Sequence, residues 1–300
     1  MTAAFSEITW DERLLSDARA LVRLALREDL DDAGDLTSLS VVGAERRGAA
    51  AIVSREAGVL AGVGIPTLVL EEAGADAVWR PTREDGQPLS PGDEVGVLEG
   101  VARDLLRCER VTLNLMSRLC GVATLTRRYV EAVADTVAKV YDTRKTTPGW
   151  RLLEKYAVHC GGGCNHRTGL YDAVMIKDNH LALADEVGLT PGGAVRLARK
   201  KEPGVVIEVE VDSLDQLRDA LPAGPDIVLL DNMSNDQLRE AIRLRDAAAS
   251  SVVLEASGGV RLETIGPIAA TGVDRISVGA LTHSAIGLDL GLDWRPGGGG

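Results

Sequence analysis

Three hundred residues leave room for two domains, or for one barrel with an appendage, and 45% hydrophobic content with only 3% aromatics describes an ample core of Leu, Val, Ile and Ala. A formal net charge of −12 excludes a nucleic-acid binder built on a basic face. No apolar run approaches the ~18 residues of a membrane span, and Met1 to Trp10 carries neither the basic nor the apolar region of a secretory leader, so a cytoplasmic protein with no nucleic-acid or membrane partner is expected.

Residues 11 to 28 predict an amphipathic helix, with Leu14, Leu15, Ala18, Leu21, Val22, Ala25 and Leu26 at helical spacing, and Asp29 to Ser38 an acidic loop. Short β runs follow at Ala49–Val53, Val59–Val63, Ala77–Trp79 and Glu94–Leu98, broken by Asp85-Gly86, Pro88 and Pro91-Gly92-Asp93, which predicts a small sheet with one or two helices. Val101 to Ala134 predicts two helices, interrupted only by Gly121. From there apolar strands at Ala138–Tyr141, Ala173–Ile176, Val205–Val211, Ile227–Leu230, Val252–Ala256 and Ile276–Val278 alternate with helices near 150–158, 191–201, 213–221, 234–248 and 261–270. That rhythm is parallel β/α architecture. About 150 residues are too few for a closed eight-unit barrel of roughly 250 residues, so an open, incomplete α/β barrel is expected over 126–283. Residues 1–125 would form the N-terminal domain with its linking helices, and 284–300 would pack back on it.

The strand ends carry the chemistry. Tyr141 leads into Asp142-Thr143-Arg144-Lys145, Ile176 into Lys177, Leu230 into Asp231-Asn232, Ala256 into Ser257-Gly258-Gly259 and Val278 into Gly279, while Glu208 and Glu210 lie on one face of their strand. With His166 and Arg167, five cationic or titratable groups fall within 40 residues of an acidic protein, which points to a bound small anion. Arginine suits planar carboxylates, lysine suits phosphate, and carboxylates at Glu210 and Asp231 suit sugar hydroxyls or hydrated Mg²⁺. Glycines at 258, 259 and 279 let backbone amides approach a phosphate. A phosphorylated ribose together with a dicarboxylate would use the whole set.

Other readings of these residues stay open. Arg144 and Lys145 could pair with Asp142, His166 could cap a helix, Asp178 and His180 could cap the segment after Lys177, and Glu208 could replace Glu210 as the ligand. Four cysteines (Cys108, Cys120, Cys160, Cys164) fit a reducing compartment. His159, Cys160, Cys164 and His166 crowd together but lack the paired, separated knuckles of a zinc site, and Gly161-Gly162-Gly163 suggests instead a close backbone approach.

The motifs Asp35-Leu36-Thr37-Ser38, Asp142 to Pro148, Lys155-Tyr156-Ala157-Val158, Asn165-His166-Arg167, Ile176 to His180, Glu208 to Val211, Leu230 to Met233, Glu255 to Gly259 and Ser277-Val278-Gly279 together resemble the quinolinate phosphoribosyltransferase family, also called nicotinate-nucleotide pyrophosphorylase (carboxylating). The resemblance covers nearly the whole chain. It implies an N-terminal α/β sandwich domain, an open α/β barrel, a homodimer or a higher assembly of dimers, and phosphoribosyl pyrophosphate as co-substrate with Mg²⁺ and no organic cofactor. By motif, Arg110, Arg144, His166, Arg167 and Lys177 resemble the quinolinate and phosphate pocket, with Arg110 supplied in trans. Thr143, Lys145, Glu210, Asp231, Ser257, Gly258, Gly259 and Gly279 resemble the phosphoribosyl side, with Val278, Ala280 and His283 beside it; Lys145, Lys177, Glu210 and Asp231 would be catalytic. Leu183 to Pro203 is a few residues longer than that pattern, and Pro296–Gly300 has no counterpart in it. Two rivals remain: an aldolase-type barrel with a Schiff base on Lys177, and a non-catalytic anion-binding barrel.

Overall fold

The computed structural model describes residues 5–184, 188–248 and 251–295; the tail at Pro296–Gly300 and part of the long 183–203 segment lie outside them. The chain divides into two compact units. Among the described residues, one comprises 8–127, 146–162 and 282–295; the other comprises 5–7, 128–145 and 163–281.

In the first unit, α1 (Glu12–Leu30) starts where the Asp11 carboxylate accepts the Arg13 and Leu14 amides, and it buries Leu14, Ala18, Val22 and Leu26 along one stripe. The expected acidic loop after it is in part a helix, α2 (Leu36–Val41), because Asp35 caps it by accepting the Ser38 amide at 3.0 Å. The strands β1 (Arg47–Ser54), β2 (Gly58–Val59), β3 (Ala77–Pro81), β4 (Pro88–Leu89) and β5 (Glu94–Val101) surround α3 (Ile65–Ala73), which packs between α1 and β3. A single helix, α4 (Ala102–Glu131), replaces the two expected after β5. Gly121 does not break it. A Cβ there would sit 2.0 Å from the Ile286 carbonyl oxygen, so this glycine serves close packing. Gly121→Ala is expected to cost about 2 kcal/mol or more through overpacking, read as a lowered denaturant midpoint with unchanged slope.

The second unit is a parallel sheet. Its strands are β6 (Lys139–Tyr141), β7 (Val174–Ile176), β8 (Ile207–Val211), β9 (Ile227–Asp231), β10 (Val253–Ser257) and β11 (Arg275–Ser277), in the order β6-β11-β10-β9-β8-β7. Between β6 and β7 comes α5 (Arg151–Cys160), which belongs to the first unit; α6 (Asp178–Ala182), α7 (Pro191–Lys201), α8 (Leu214–Ala220), α9 (Asn235–Ala247) and α10 (Leu262–Ala269) complete the crossovers. Strands consecutive in sequence, β6 and β7, stand at opposite edges, so the barrel is open there. The segment at Cys164 half-fills the gap, its amide donating to Val140 O and its carbonyl accepting from Asp142 N. All six strands run the same way, which brings their carboxyl ends to one rim.

The short helix α11 (Ala280–His283) leads to β12 (Leu290–Trp294), which pairs antiparallel with β1 and completes the sheet β12-β1-β5-β3. Residues 146–162 belong to the first unit, where the Glu154 carboxylate takes hydrogen bonds from Arg118 and Thr147. Side chains 36 residues apart in sequence decide that, and no periodicity reports it.

Candidate active site

A cavity of about 600 Å³ opens at the carboxyl rim of the barrel strands. It collects Thr143, Arg144 and Lys145 after β6, His166 and Arg167 from the gap segment, and Lys177 after β7. Glu210 comes from β8, Asp231 from β9, and Ser257, Gly258 and Gly259 from the end of β10.

Local structure fixes each group. Asp142, fully buried, accepts Asn165 Nδ2 at 2.7 Å and the His166 amide at 2.8 Å, which ties the end of β6 to the segment carrying His166 and Arg167. His180 Nδ1 accepts the Lys177 amide at 2.9 Å and starts α6, so His180 does cap this segment. The Lys177 ammonium lies 2.7 Å from Glu210 Oε2. Asn232 holds a left-handed φ of 54° and donates Nδ2 to Asp231 Oδ2 at 2.7 Å. Gly258, at φ +102°, passes so close that a Cβ would meet Asn232 Oδ1 at 2.2 Å.

The two guanidinium groups are under-compensated. Arg167 donates to the Ala173 carbonyl and the Met175 sulfur, neither of them an anion, and its pKa is lowered by burial and then by the Arg144 charge beside it. The Arg144 Nε is buried without a hydrogen-bond partner among the described residues. A buried guanidinium in that condition awaits an anion.

Beneath these cations sits a cluster that sequence reading missed. His166 Nε2 lies 3.0 Å from Glu208 Oε2 and 3.5 Å from Glu255 Oε1, with both carboxyl groups fully buried. The Phe5 ring stacks on His166 at 4.5 Å, and Arg275 lies over the Tyr141 ring at 4.6 Å. Burial pushes the Glu255 carboxyl up from 4.5 to about 7, against the opposing pull of His166. Because the folded-state value is raised, the folded chain keeps a proton that the unfolded chain sheds. The contribution of this group to stability is therefore full below pH 4.5 and is lost as pH rises through about 7. Relative to wild type, Glu255→Gln should flatten that slope by roughly 1–3 kcal/mol, seen in melting temperatures between pH 4.5 and 8.

Several expected residues are not gathered into the cavity. Arg110 lies exposed on α4 in the other unit. Val278 is core, its amide donating to Tyr141 O; Gly279 and Ala280 follow it without lining the cavity, and His283 is exposed with Nδ1 against Ser284 Oγ. Cys160 is buried in α5, its thiol pushed up to about 12 by burial, and Gly161 beside it packs against the Ala123 carbonyl of α4. At Gly161 the expected close backbone approach is thus made to a helix. Met175, Leu229, Asn232, Glu255 and Ser277 also line the cavity, although the sequence assigns none of them a role. Glu255 had a signal, a lone charge inside an apolar strand; Met175 and Leu229 had none.

An open parallel barrel with a cation-lined, carboxylate-rimmed cavity at its strand ends is the frame of an enzyme for small polyanions. Sequence comparison gives the family. Residues 122–293 match "Quinolinate phosphoribosyl transferase, C-terminal domain", and residues 35–120 match "Quinolinate phosphoribosyl transferase, N-terminal domain". The nicotinate-nucleotide pyrophosphorylase [carboxylating] of Mycobacterium leprae is 46% identical over 92% of this chain and 96% of its own length. A probable enzyme of the same name from Bacillus subtilis is 43% identical over 87% of this chain and 88% of its own. The solved nicotinate-nucleotide pyrophosphorylase of Francisella tularensis superposes with a TM-score of 0.88 at 36% identity, covering 97% of this chain and 99% of that one. The chain belongs to the quinolinate phosphoribosyltransferase family.

Proposed function

We infer that this protein transfers the phosphoribosyl group of phosphoribosyl pyrophosphate to the ring nitrogen of quinolinate and releases CO₂, giving nicotinate mononucleotide and pyrophosphate for NAD biosynthesis. The observation that carries this reading is the pair of adjacent, under-compensated guanidinium groups, Arg144 with its buried unpartnered Nε and Arg167 with its lowered pKa. A dicarboxylate answers both at once. Lys145 and the glycine turn at Ser257–Gly259 offer charge and amides to phosphates. Glu210 and Asp231 line the same cavity and are suited to ribose hydroxyls, and their negative charge would favour the oxocarbenium-like state of the transfer.

Mg²⁺ fits the same two residues. Carboxylate oxygens on neighbouring strands are the hard donors it prefers, shared with water and substrate phosphates, and when bound it would supply charge neutralisation for departing pyrophosphate. Once alkylated, the pyridine nitrogen draws in the electrons left when CO₂ departs, so the substrate serves as its own electron sink. The deciding experiment follows CO₂ from carboxyl-labelled quinolinate. Release that requires phosphoribosyl pyrophosphate and Mg²⁺ supports the assignment; release without them, or none at all, refutes it.

No helix among the described residues is long and apolar enough to cross a membrane, and we place the enzyme in the cytoplasm as a homodimer. Arg110, exposed on α4, would reach the quinolinate pocket of the partner. Mixed dimers of Arg110→Ala and Lys177→Ala chains should then regain about one quarter of wild-type activity at random pairing. No recovery on mixing would place Arg110 in its own chain's site or outside catalysis.

A further inference from the structure

We propose that Glu255, at the floor of the cavity, holds the proton that replaces CO₂ on the substrate ring. The inference rests on the quinolinate reaction above. Decarboxylation breaks the bond between ring carbon 2 and its carboxyl carbon; CO₂ leaves without the electron pair, which stays on carbon 2 beside the alkylated nitrogen. Until a proton bonds to that carbon the same electron pair can recapture CO₂, so net CO₂ release waits on proton delivery. In the step assigned here the proton comes from the Glu255 carboxyl, leaving a carboxylate that must regain a proton before the next turnover.

The geometry supports Glu255 in this role. Glu255 and His166 both line the cavity that holds Arg144, Arg167 and Lys177, the groups suited to the substrate's carboxylates. Arginine is too weak an acid to donate. The lysines' charges serve the anionic substrates, and the Lys177 ammonium is engaged by Glu210 at 2.7 Å. His166 Nδ1 accepts the Arg167 amide at 2.8 Å, so the ring's own proton lies on Nε2, which faces Glu208 at 3.0 Å and Glu255 at 3.5 Å. That tautomer also argues against a metal at this cluster, although its three donor groups lie within 4.8 Å of one another. A proton already occupies the nitrogen a metal would need.

Burial disfavours the charged form of a carboxyl group, and a second carboxyl nearby disfavours it further. The groups facing Glu255 from neighbouring elements are Glu208 on β8, His166 from the gap segment, Arg275 and Ser277 on β11, and Tyr141 on β6. Burial and Glu208 raise its affinity for a proton, while His166, Arg275 and Ser277 oppose them. The balance leaves Glu255 titrating near neutrality, where an acid can both hold and deliver a proton.

The test separates the two half-reactions in single-turnover mixing of enzyme, Mg²⁺, phosphoribosyl pyrophosphate and carboxyl-labelled quinolinate. Pyrophosphate reports transfer and labelled CO₂ reports decarboxylation. Glu255→Gln should slow CO₂ release by about 10²-fold relative to pyrophosphate release, so that the alkylated dicarboxylate accumulates. Glu255→Asp should recover part of the loss. In the wild-type enzyme the CO₂ phase alone should slow in D₂O, a measurement that needs no variant to fold. If both phases fall together in Glu255→Gln, or if the CO₂ phase is unchanged or insensitive to D₂O in the wild type, the proton comes from elsewhere and the proposal fails. Failure of the wild-type enzyme to form either product would instead overturn the reaction itself.

Discussion

Replacing Lys177 by alanine is expected to lower kcat/KM for quinolinate by about 10²–10³-fold, and Lys177→Arg to retain clearly more activity than that. The ammonium lies 2.7 Å from Glu210 Oε2. Its removal deletes a cation from the cavity and also exposes a carboxylate to incoming anions, so both substrates lose. Arginine restores the charge at altered geometry. Lys145, which lines the same cavity, should follow the same order. Steady-state kinetics of the four variants check this. Were arginine as inactive as alanine at Lys177, with a borohydride-reducible adduct found by mass spectrometry, the imine chemistry of an aldolase would take its place.

Nicotinate should be a far poorer acceptor than quinolinate, by roughly 2–5 kcal/mol of transition-state binding. It has one carboxylate where quinolinate has two. The buried Arg144 Nε and the crowded Arg167 guanidinium would then keep part of their unmet charge in the bound complex. A site built around a second anion rejects the analogue lacking it, because the unpaired groups, not merely the missing contact, raise the energy. Competition between the two acids at equal concentration measures the ratio directly. Comparable turnover would defeat the dicarboxylate assignment.

Most of the barrel could be read from the chain because parallel strands buried on both faces are short apolar runs, and each crossover helix has its own periodicity. The rim residues were legible for the same reason: in such a sheet a polar residue that ends an apolar strand lies at the carboxyl edge. What failed to appear was whatever depends on partners distant in sequence. Gly121 looked like a helix breaker until the Ile286 carbonyl was seen against it. Glu208 and Glu255 come from different strands, and nothing in either strand says that His166 stands between them. Phe5 contributes from an N-terminal segment whose sequence has no periodicity at all. Asp35 is a local miss: a carboxylate followed three residues later by the amide it caps is a helix start that the acidic run around it disguised.

The pairing of β12 with β1 has a consequence for how the protein is made. Ala50 lies opposite Trp294, so the strand beside β1 emerges only after about 240 further residues have been synthesised. At the usual ~5–20 residues per second, that leaves β1 waiting roughly 12–50 s on the nascent chain with β5 on one side and nothing on the other. An unpaired strand carrying Ala-Ala-Ala-Ile-Val is a template for another nascent chain on the same message. Yield in a rapidly translating host should therefore depend on elongation speed and on holding chaperones more than on the stability of the finished fold.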